Sequence, residues 1–250
     1  MLSKNKIKFI KSLDLKKNRD KENLFIAEGH KVVEELAGHF HCRLMAGLPV
    51  FFDNHPEAEA DEVYIASKEE LRRASLLKNP QDVVAVFEKP SFTASLSDVK
   101  NTLSLALDDV QDPGNLGTII RLADWFGIET VFCSHESADI FNPKTVQATM
   151  GALSRVKIVY TDIAELLSSA EGLPVYGTFL DGDDMYDCDL SENGIIVMGN
   201  EGRGISSEAG RYVDHRLLIP NYPAGRETSE SLNVGVATAV ICAEFRRRQR

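Results

Sequence analysis

Cysteine is scarce: Cys42, Cys133, Cys188 and Cys242 stand singly in 250 residues, with no C-x-x-C pair. Such spacing excludes a disulfide framework and a zinc ribbon. No run of about eighteen apolar residues occurs, so nothing reads as a membrane-spanning helix. The N-terminus, "MLSKNKIKFIKSL", is basic but lacks the apolar stretch of a secretory signal, and the cytoplasm is the expected compartment. No G-x-G-x-x-G, no phosphate loop, no G-x-S-x-G elbow and no paired-His motif is present, which sets aside a dinucleotide-dependent oxidoreductase, a hydrolase and a metalloprotease. "HFHC" at 39–42 has no matching second pair, so no metal is expected. His30, His55, His135 and His215 are isolated.

What is present is an uneven charge. The chain carries a net −10, yet residues 1–31 hold eight Lys and one Arg against four carboxylates, and the C-terminus closes with "RRRQR". Two basic ends flank an acidic body. Such runs are either solvated faces or local patches for phosphate.

Two rhythms divide the chain. In the first part "NKIKFIKSLDLKK" and "HKVVEELAGH" read as helices, "NLFIAEG", "CRLMAG", "EVYIAS" and "DVVAVFE" as short strands, and "KEELRRASLLKN" as a helix between the last two. This predicts a small α/β domain over 1–95, closed by the linker "KPSFTASLSDVKN". Over 100–250 the apolar runs "LSLALDDV", "TVFCS", "VKIVY", "LPVYGTFL", "GIIVMGN" and "HRLLIP" alternate with helical stretches at 116–126, 143–150, 161–171 and 231–247. Runs that are apolar throughout predict a mostly parallel sheet with helices on both faces, whose ligands sit beyond the carboxyl ends of the strands.

Three loops fall at such ends. In "LDDVQDPGNLGTIIRLADWFGI", 107–128, Pro113 and Gly114 make a turn, Asn115 is a suitable N-cap, and Arg121 lies off the apolar face formed by Leu116, Ile119, Ile120, Ala123 and Phe126. In "GIIVMGNEGRGIS", 194–206, the glycines at 199, 202 and 204 let a ligand lie against the backbone, while Glu201 disfavours a pyrophosphate. In "LLIPNYPAGRETSESLNVGVATAVICAEF", 217–245, Ser231 is a natural N-cap and Gly235, Ala237 and Ala239 permit close helix packing. Each loop alone can be ordinary turn chemistry; three polar, glycine-bearing strand ends in one domain point to a site.

At these loops the chain resembles the SpoU family of RNA ribose 2′-O-methyltransferases, of the SPOUT class. "DPGNLGTIIRLADWFG", "VMGNEGRGIS" and "LIPNYPAGRETSESLNVGVA" stand in the family's order, "QATMGALSRV" at 147–156 resembles its intervening segment with Thr149 in place of a common Ser, and 8–36 resembles the small substrate-binding domain that precedes many members. The loop "NYPAGRETSE" is longer and more polar than the family's. The resemblance implies a deep trefoil knot, S-adenosylmethionine as cofactor, and a wall for it formed by Thr178, Gly199, Asn200, Gly202, Ile219 and Leu232. It implies catalytic roles for Arg121, Asn115, Glu201, Ser231 and Asn233, a homodimer, and an RNA substrate that is ribosomal or, alternatively, transfer RNA. A guanidinium keeps its proton in proteins, so Arg121 is expected to grip phosphate and stabilise developing alkoxide rather than act as a base. A non-catalytic RNA-binding or ribosome-assembly protein with the same fold is the competing reading.

Overall fold

The computed structural model describes residues 1–223, 226, 229 and 231–249. The chain forms two compact units, one of Met1–Ser91 with Asp139–Ser154, the other of Phe92–Ala138 with Arg155–Arg250.

In the first unit the short apolar runs become β1 (Leu24–Glu28), β2 (Cys42–Gly47), β3 (Glu62–Ile65) and β4 (Val83–Glu88), ordered β1-β4-β2-β3. β4 is antiparallel to β1 and β2, and β2 is parallel to β3. Alternation along the strands splits the apolar side chains between two faces. Leu24, Ile26, Leu44, Val84 and Val86 join Ile7 and Ile10 of the Lys4–Ser12 helix and Leu71 and Ala74 of the Lys68–Ala74 helix in one core. That second helix starts at a capping box: Ser67 Oγ accepts from Glu70 N, and the Glu70 carboxylate accepts from Ser67 N. On the other face Phe25 packs against Phe87 and Phe141, with ring centroids 5.7 and 5.1 Å apart.

Phe141 belongs to a stretch that a single boundary near residues 95–100 assigns to the C-terminal domain. Packing assigns 139–154 to the first unit instead. Arg19, 2% exposed, donates to the carbonyls of Leu13 and Asp14 and pairs with Asp139 at 2.7 Å. Gly151, at φ +93°, lies so close to Glu35 that an added Cβ would stand 2.5 Å from the glutamate Cβ. Long-range contacts of this kind have no local periodicity to announce them.

The second unit contains β5 (Leu103–Leu107), β6 (Thr130–Cys133), β7 (Lys157–Tyr160), β8 (Val175–Asp184), β9 (Gly194–Met198) and β10 (His215–Leu218), in the order β10-β8-β9-β5-β6-β7. Every pairing is parallel, which carries the expected mostly parallel sheet to completion. β5 and β9 are buried along their whole length, as continuous apolar runs require. The chain runs outward from β5 through β6 and β7, then returns to lay down β8, and β9 enters between β8 and β5. Strand order therefore reverses at β5 and β9, and the crevice beyond their carboxyl ends is the switch point where such sheets take ligands.

On one face Ile195 and Val197 pack with Ile163, Leu167 and Ala209. On the other, the helices Pro113–Trp125 and Val234–Arg248 lie together, with Gly235 against Thr118 (an added Cβ would be 3.3 Å from its Cγ2) and Phe245 edge-on to Tyr176. The small residue at 235 thus serves helix packing within the chain.

The C-terminal arginines are likewise engaged within the chain. Arg246 donates to the carbonyls of Phe126 and Gly127 at 2.7 and 3.1 Å, satisfying the end of the Pro113–Trp125 helix. Arg248 donates to the carbonyls of Met185, Tyr186 and Cys188. Hydrogen bonds from Arg247 and Arg248 pull the Glu244 carboxyl down to about 2. In place of both readings open for "RRRQR", Arg246, Arg247 and Arg248 form a latch that anchors the last helix; Arg250 lies outside the described residues.

Candidate active site

The site grows from the two aspartates that follow β5. Asp108 N donates to Met198 O at 2.9 Å, and the Asp108 carboxylate, 8% exposed, accepts from Ser206 N at 2.7 Å. Asp109 has φ 62°, a left-handed conformation that a short polar side chain tolerates; its carbonyl accepts from Asn200 Nδ2 at 2.8 Å and its carboxylate pairs with Arg203. Asp108, Asp109 and Arg203 are not among the residues that the sequence motifs single out. Their signal is the doubled acid directly after an apolar parallel strand.

These contacts fold 199–206 into a hairpin. Asn200 and Gly204 exchange both backbone hydrogen bonds, at 3.0 and 2.9 Å, and Asn200 Oδ1 accepts from Gly202 N and Arg203 N at 2.9 and 3.1 Å. Asn200 is therefore occupied on both ends of its amide with holding the loop. A Cβ on Gly199 would stand 2.2 Å from Gly204 C and 2.3 Å from Ile205 N, so only glycine closes the turn.

Glu201 sits at the hairpin tip and accepts from Asn115 Nδ2 at 2.7 Å. Asn115 Oδ1 in turn accepts from Asn233 Nδ2 at 3.0 Å, and Asn233 Oδ1 accepts from Gly235 N and Val236 N at 3.0 and 3.3 Å. An ionised carboxylate only accepts, so it turns the Asn115 amide, which turns the Asn233 amide, whose oxygen is left to cap a helix. One chain of hydrogen bonds ties the three loops.

The caps themselves differ from the sequence expectation. Asp112 caps Pro113–Trp125, accepting from Asn115 N at 2.9 Å, with Pro113 at the first helical position and Asn115 inside the first turn. A proline at that position sacrifices an N–H that has no helical partner anyway. Asn233 caps Val234–Arg248. Ser231, two residues earlier, is exposed and has no hydrogen-bond partner among the described residues.

Arg121 is not brought into this chain. It lies six residues beyond Asn115, about 9 Å further along the helix axis and about 120° round it. With Thr118 and Trp125 it forms an exposed stripe, and among the described residues it has no hydrogen-bond or ion-pair partner.

Of the residues expected to hold a cofactor, Gly199 and Asn200 directly follow β9, Gly202 lies in the hairpin after it, Ile219 directly follows β10, Thr178 lies within β8, and Leu232 precedes the last helix. Thr178 of β8 stands next to Met198 of β9, its hydroxyl 4.0 Å from Sδ, on the sheet face where the last helix packs. Ile219 directly follows β10 and is half-buried; Leu232 is 48% exposed. Among the described residues only the Asn200 amide oxygen, at 3.6 Å, lies within 4 Å of where a Cβ on Gly202 would stand, so no other described residue crowds that backbone. This wall offers a hydroxyl, glycine backbone and aliphatic groups without a formal charge, a donor set that suits an uncharged adenosine; the carboxylate at Glu201 is opposite in sign to a sulfonium. No group of three His, Cys, Asp or Glu among the described residues is placed to hold a metal, and no described helix is long and apolar enough to cross a membrane.

Residues 102–243, which contain every residue of this site, match the model of the SpoU rRNA Methylase family. The chain belongs to that family. A second model, the MRM3-like substrate binding domain, matches residues 4–85 of this SpoU chain. It is 32% identical over 247 residues to the 23S rRNA (guanosine(2553)-2′-O)-methyltransferase RlmP of Bacillus subtilis, with 96% of each chain covered. Over 196 residues it is 31% identical to RlmB of Neisseria meningitidis, a 23S rRNA (guanosine-2′-O-)-methyltransferase, covering 75% of this chain and 77% of that one. Its fold matches a putative TrmH-family RNA methyltransferase from Porphyromonas gingivalis with TM-score 0.88, 43% identity and 99% coverage of both chains. It matches an AdoMet-bound rRNA methyltransferase from Sinorhizobium meliloti with TM-score 0.84 and 30% identity, covering 100% of this chain and 97% of that one.

Proposed function

We propose that this SpoU chain methylates a ribose 2′-hydroxyl of ribosomal RNA from S-adenosylmethionine. The observation that carries the reading is the Glu201–Asn115–Asn233 chain at the switch point of the sheet, in a chain whose full-length relative in Bacillus subtilis acts on a 23S guanosine. Cofactor contacts fall to Thr178, Gly199, Gly202, Ile219 and Leu232, with Asn200 holding the hairpin that presents them. A trefoil knot at this end of the sheet belongs to the same reading, as does a cytoplasmic location.

Bound there, S-adenosylmethionine supplies an electrophilic methyl carbon. The ribose oxygen takes the methyl as the carbon–sulfur bond breaks, and the hydroxyl proton leaves to solvent. The protein's work is alignment and charge stabilisation. Glu201, Asn115 and Asn233 fix the loop geometry, and Ser231, two residues before Asn233, offers an exposed hydroxyl. Arg121 supplies a planar, permanently charged fork for the phosphate next to the target ribose and for the alkoxide that develops on it.

The reading includes a homodimer. Trp125 is 83% exposed and Val236 51% exposed on the two adjacent helices, and a 540 Å³ cavity lined by Trp125, Phe126, Ala243, Arg246, Arg247 and Gln249 opens on the same face. A second copy that covers this face also brings a second Arg121 stripe with it.

The experiment is transfer of labelled methyl to total RNA, followed by mapping of 2′-O-methyl sites in cells with and without the gene. Label in 23S RNA at one site supports the reading, label confined to transfer RNA replaces the substrate, and cofactor binding without transfer to any RNA makes this a binding protein. Arg121→Lys tests the fork: turnover at saturating RNA is expected to fall at least about tenfold with cofactor affinity unchanged, since losing one oriented donor at a developing oxyanion typically costs about 10²–10³. Near-normal turnover removes that role.

A further inference from the structure

Basic residues are either engaged within the chain or exposed with no partner for the side chain among the described residues, and the second group, which has single members such as Lys31, Lys68, Lys78, Lys100 and Lys157 elsewhere, is densest on the first two helices. The C-terminal arginines donate to carbonyls and to Glu244, and Arg19 is buried against Asp139. Lys6 pairs with Glu62 and Lys89 with Asp20. Against this, Lys4, Lys8 and Lys11 of the Lys4–Ser12 helix, and Lys16 and Lys17 of the Lys16–Glu22 helix that follows, are all exposed, with no hydrogen-bond or ion-pair partner among the described residues. At about 100° per residue, positions 4, 8 and 11 fall within about 60° of one another. Ile7 and Ile10 turn away into the core. Within residues 1–19 the only acid is Asp14.

We propose that this lysine face is where the first unit docks the phosphate backbone of the RNA substrate. The inference rests on the methyltransferase reading above and adds to it the surface that sets RNA affinity. Three arguments support RNA as the occupant. In a chain of net charge −10, unpaired positive charge concentrated on one face attracts a polyanion locally while the remaining surface repels it, which favours one mode of approach. With Ile7 and Ile10 buried, no apolar stripe accompanies the lysines, as insertion into a membrane surface would need. From Lys4 to Lys11 the helix rises about 10 Å, long enough for its three lysines to reach separate phosphates of a nucleic-acid backbone, whose charges recur about every 3.4 Å per strand along a duplex axis. The contacts are to backbone rather than base edges, so the face sets affinity without choosing the nucleotide.

The test uses the full chain with K4Q/K8Q/K11Q, and K16Q/K17Q as a second variant. Binding to 23S RNA fragments is measured from 50 to 300 mM salt, alongside cofactor affinity, melting temperature and single-turnover methyl transfer at saturating RNA. The slope of log affinity against log salt is expected to shrink in magnitude by about 2 to 2.7 for the triple variant, at about 0.7–0.9 for each phosphate that is no longer neutralised. RNA affinity at 0.15 M salt falls about 30- to 100-fold, while cofactor affinity and transfer at saturating RNA stay within about twofold. K4R/K8R/K11R keeps the wild-type slope, and the charge-matched K78Q/K100Q/K157Q variant weakens binding by less than half as much. An unchanged slope in the triple and double variants overturns the proposal, as does an equal weakening in the charge-matched control. Binding of wild type, but not the triple variant, to anionic vesicles or an acidic protein with RNA affinity unaltered assigns the face to that partner instead. If the wild-type chain methylates no RNA, the functional reading fails on its own, whatever the slopes show.

Discussion

Gly199→Ala tests the hairpin that positions Glu201. The new methyl would lie 2.2 Å from Gly204 C, 2.3 Å from Ile205 N and 2.5 Å from Gly204 O, all backbone atoms that no rotamer change can move aside. Relief requires the hairpin to open, which strains or breaks the two Asn200–Gly204 hydrogen bonds and the bonds from Gly202 N and Arg203 N to Asn200. Overpacking costs about 1–3 kcal/mol, and two backbone hydrogen bonds add about 1–3 kcal/mol, so the folded hairpin loses about 2–6 kcal/mol. At about 2–4 °C per kcal/mol for a domain of this size, melting falls by roughly 4–24 °C. If the hairpin opens without unfolding the rest, the loss appears instead in cofactor binding, because opening moves Glu201 away from Asn115. Gly202→Ala separates the two effects. A Cβ there meets no atom of the described residues closer than 3.6 Å, so melting should stay within about 1 °C. Yet the methyl enters the space assigned to the ligand, and cofactor affinity by calorimetry should drop about tenfold or more. Should Gly199→Ala melt and bind like wild type, the hairpin is not the rigid element described. Should Gly202→Ala bind normally, the ligand does not lie against that backbone.

Other expectations follow from the same contacts. Asn115→Asp sets a second carboxylate 2.7 Å from Glu201 and removes the donor between them; turnover is expected to fall about 10²-fold, measured as single-turnover methyl transfer, with the melting temperature lowered by only a few degrees. Trp125→Glu places a charge on the exposed apolar face, and sedimentation should show a shift from dimer to monomer; an unchanged dimer moves the interface elsewhere. Glu244 has its folded carboxyl lowered from 4.5 to about 2 by hydrogen bonds from Arg247 and Arg248, so its stabilisation is present above about pH 4.5 and is lost as pH falls towards 2. The contribution is at most about 3 kcal/mol, reduced by solvent around Arg247. Glu244→Gln should therefore flatten the acid limb of the stability profile between pH 4.5 and 2, and a limb identical to wild type would count against the latch.

Much of the second unit is legible in the sequence because its strands are continuous apolar runs. "LSLAL" and "GIIVM" announce buried parallel strands, and the polar loops after them announce a crevice. The hydrogen-bond partners are less legible, since two suitable caps compete within a few residues of each helix start, Asp112 with Asn115 and Ser231 with Asn233. Asp112, Asn115 and Asn233 all have capping side chains, and only the fold shows that Asp112 and Asn233 take the helix starts while Asn115 bridges Glu201 and Asn233. Ser231 has the same local credentials for a cap, but the helix starts two positions later, where Asn233 accepts from its first free N–H groups. The assignment of 139–154 to the first unit rests on Arg19, Phe25 and Glu35, residues more than a hundred positions away. Pattern reading cannot weigh such pairs, because each partner alone looks like an ordinary surface or core residue.

The arrangement of the cations explains how an acidic chain is suited to a polyanion. Guanidinium groups offer several fixed donors and are used where geometry must be satisfied: Arg19, Arg246 and Arg248 reach carbonyls, Arg203 holds Asp109, and Arg216 pairs with Asp181 while stacking 3.5 Å above Phe179. Ammonium groups on flexible stems are left on the surface of the first two helices, where approximate placement suffices for attraction through solvent. Like Arg73 and Arg211, Arg121 departs from that division, an exposed guanidinium with no hydrogen-bond or ion-pair partner among the described residues; of the three it is the one on the helix whose first turn anchors the Glu201–Asn115–Asn233 chain. In the methyltransferase reading its partner arrives with the substrate. A planar fork then serves better than a lysine because both the adjacent phosphate and the developing alkoxide must be held at once. Diffuse lysine contacts would gather the RNA, and a single oriented arginine would act on one ribose. The two should separate kinetically, with salt weakening capture by the lysines far more than it slows transfer at saturating RNA.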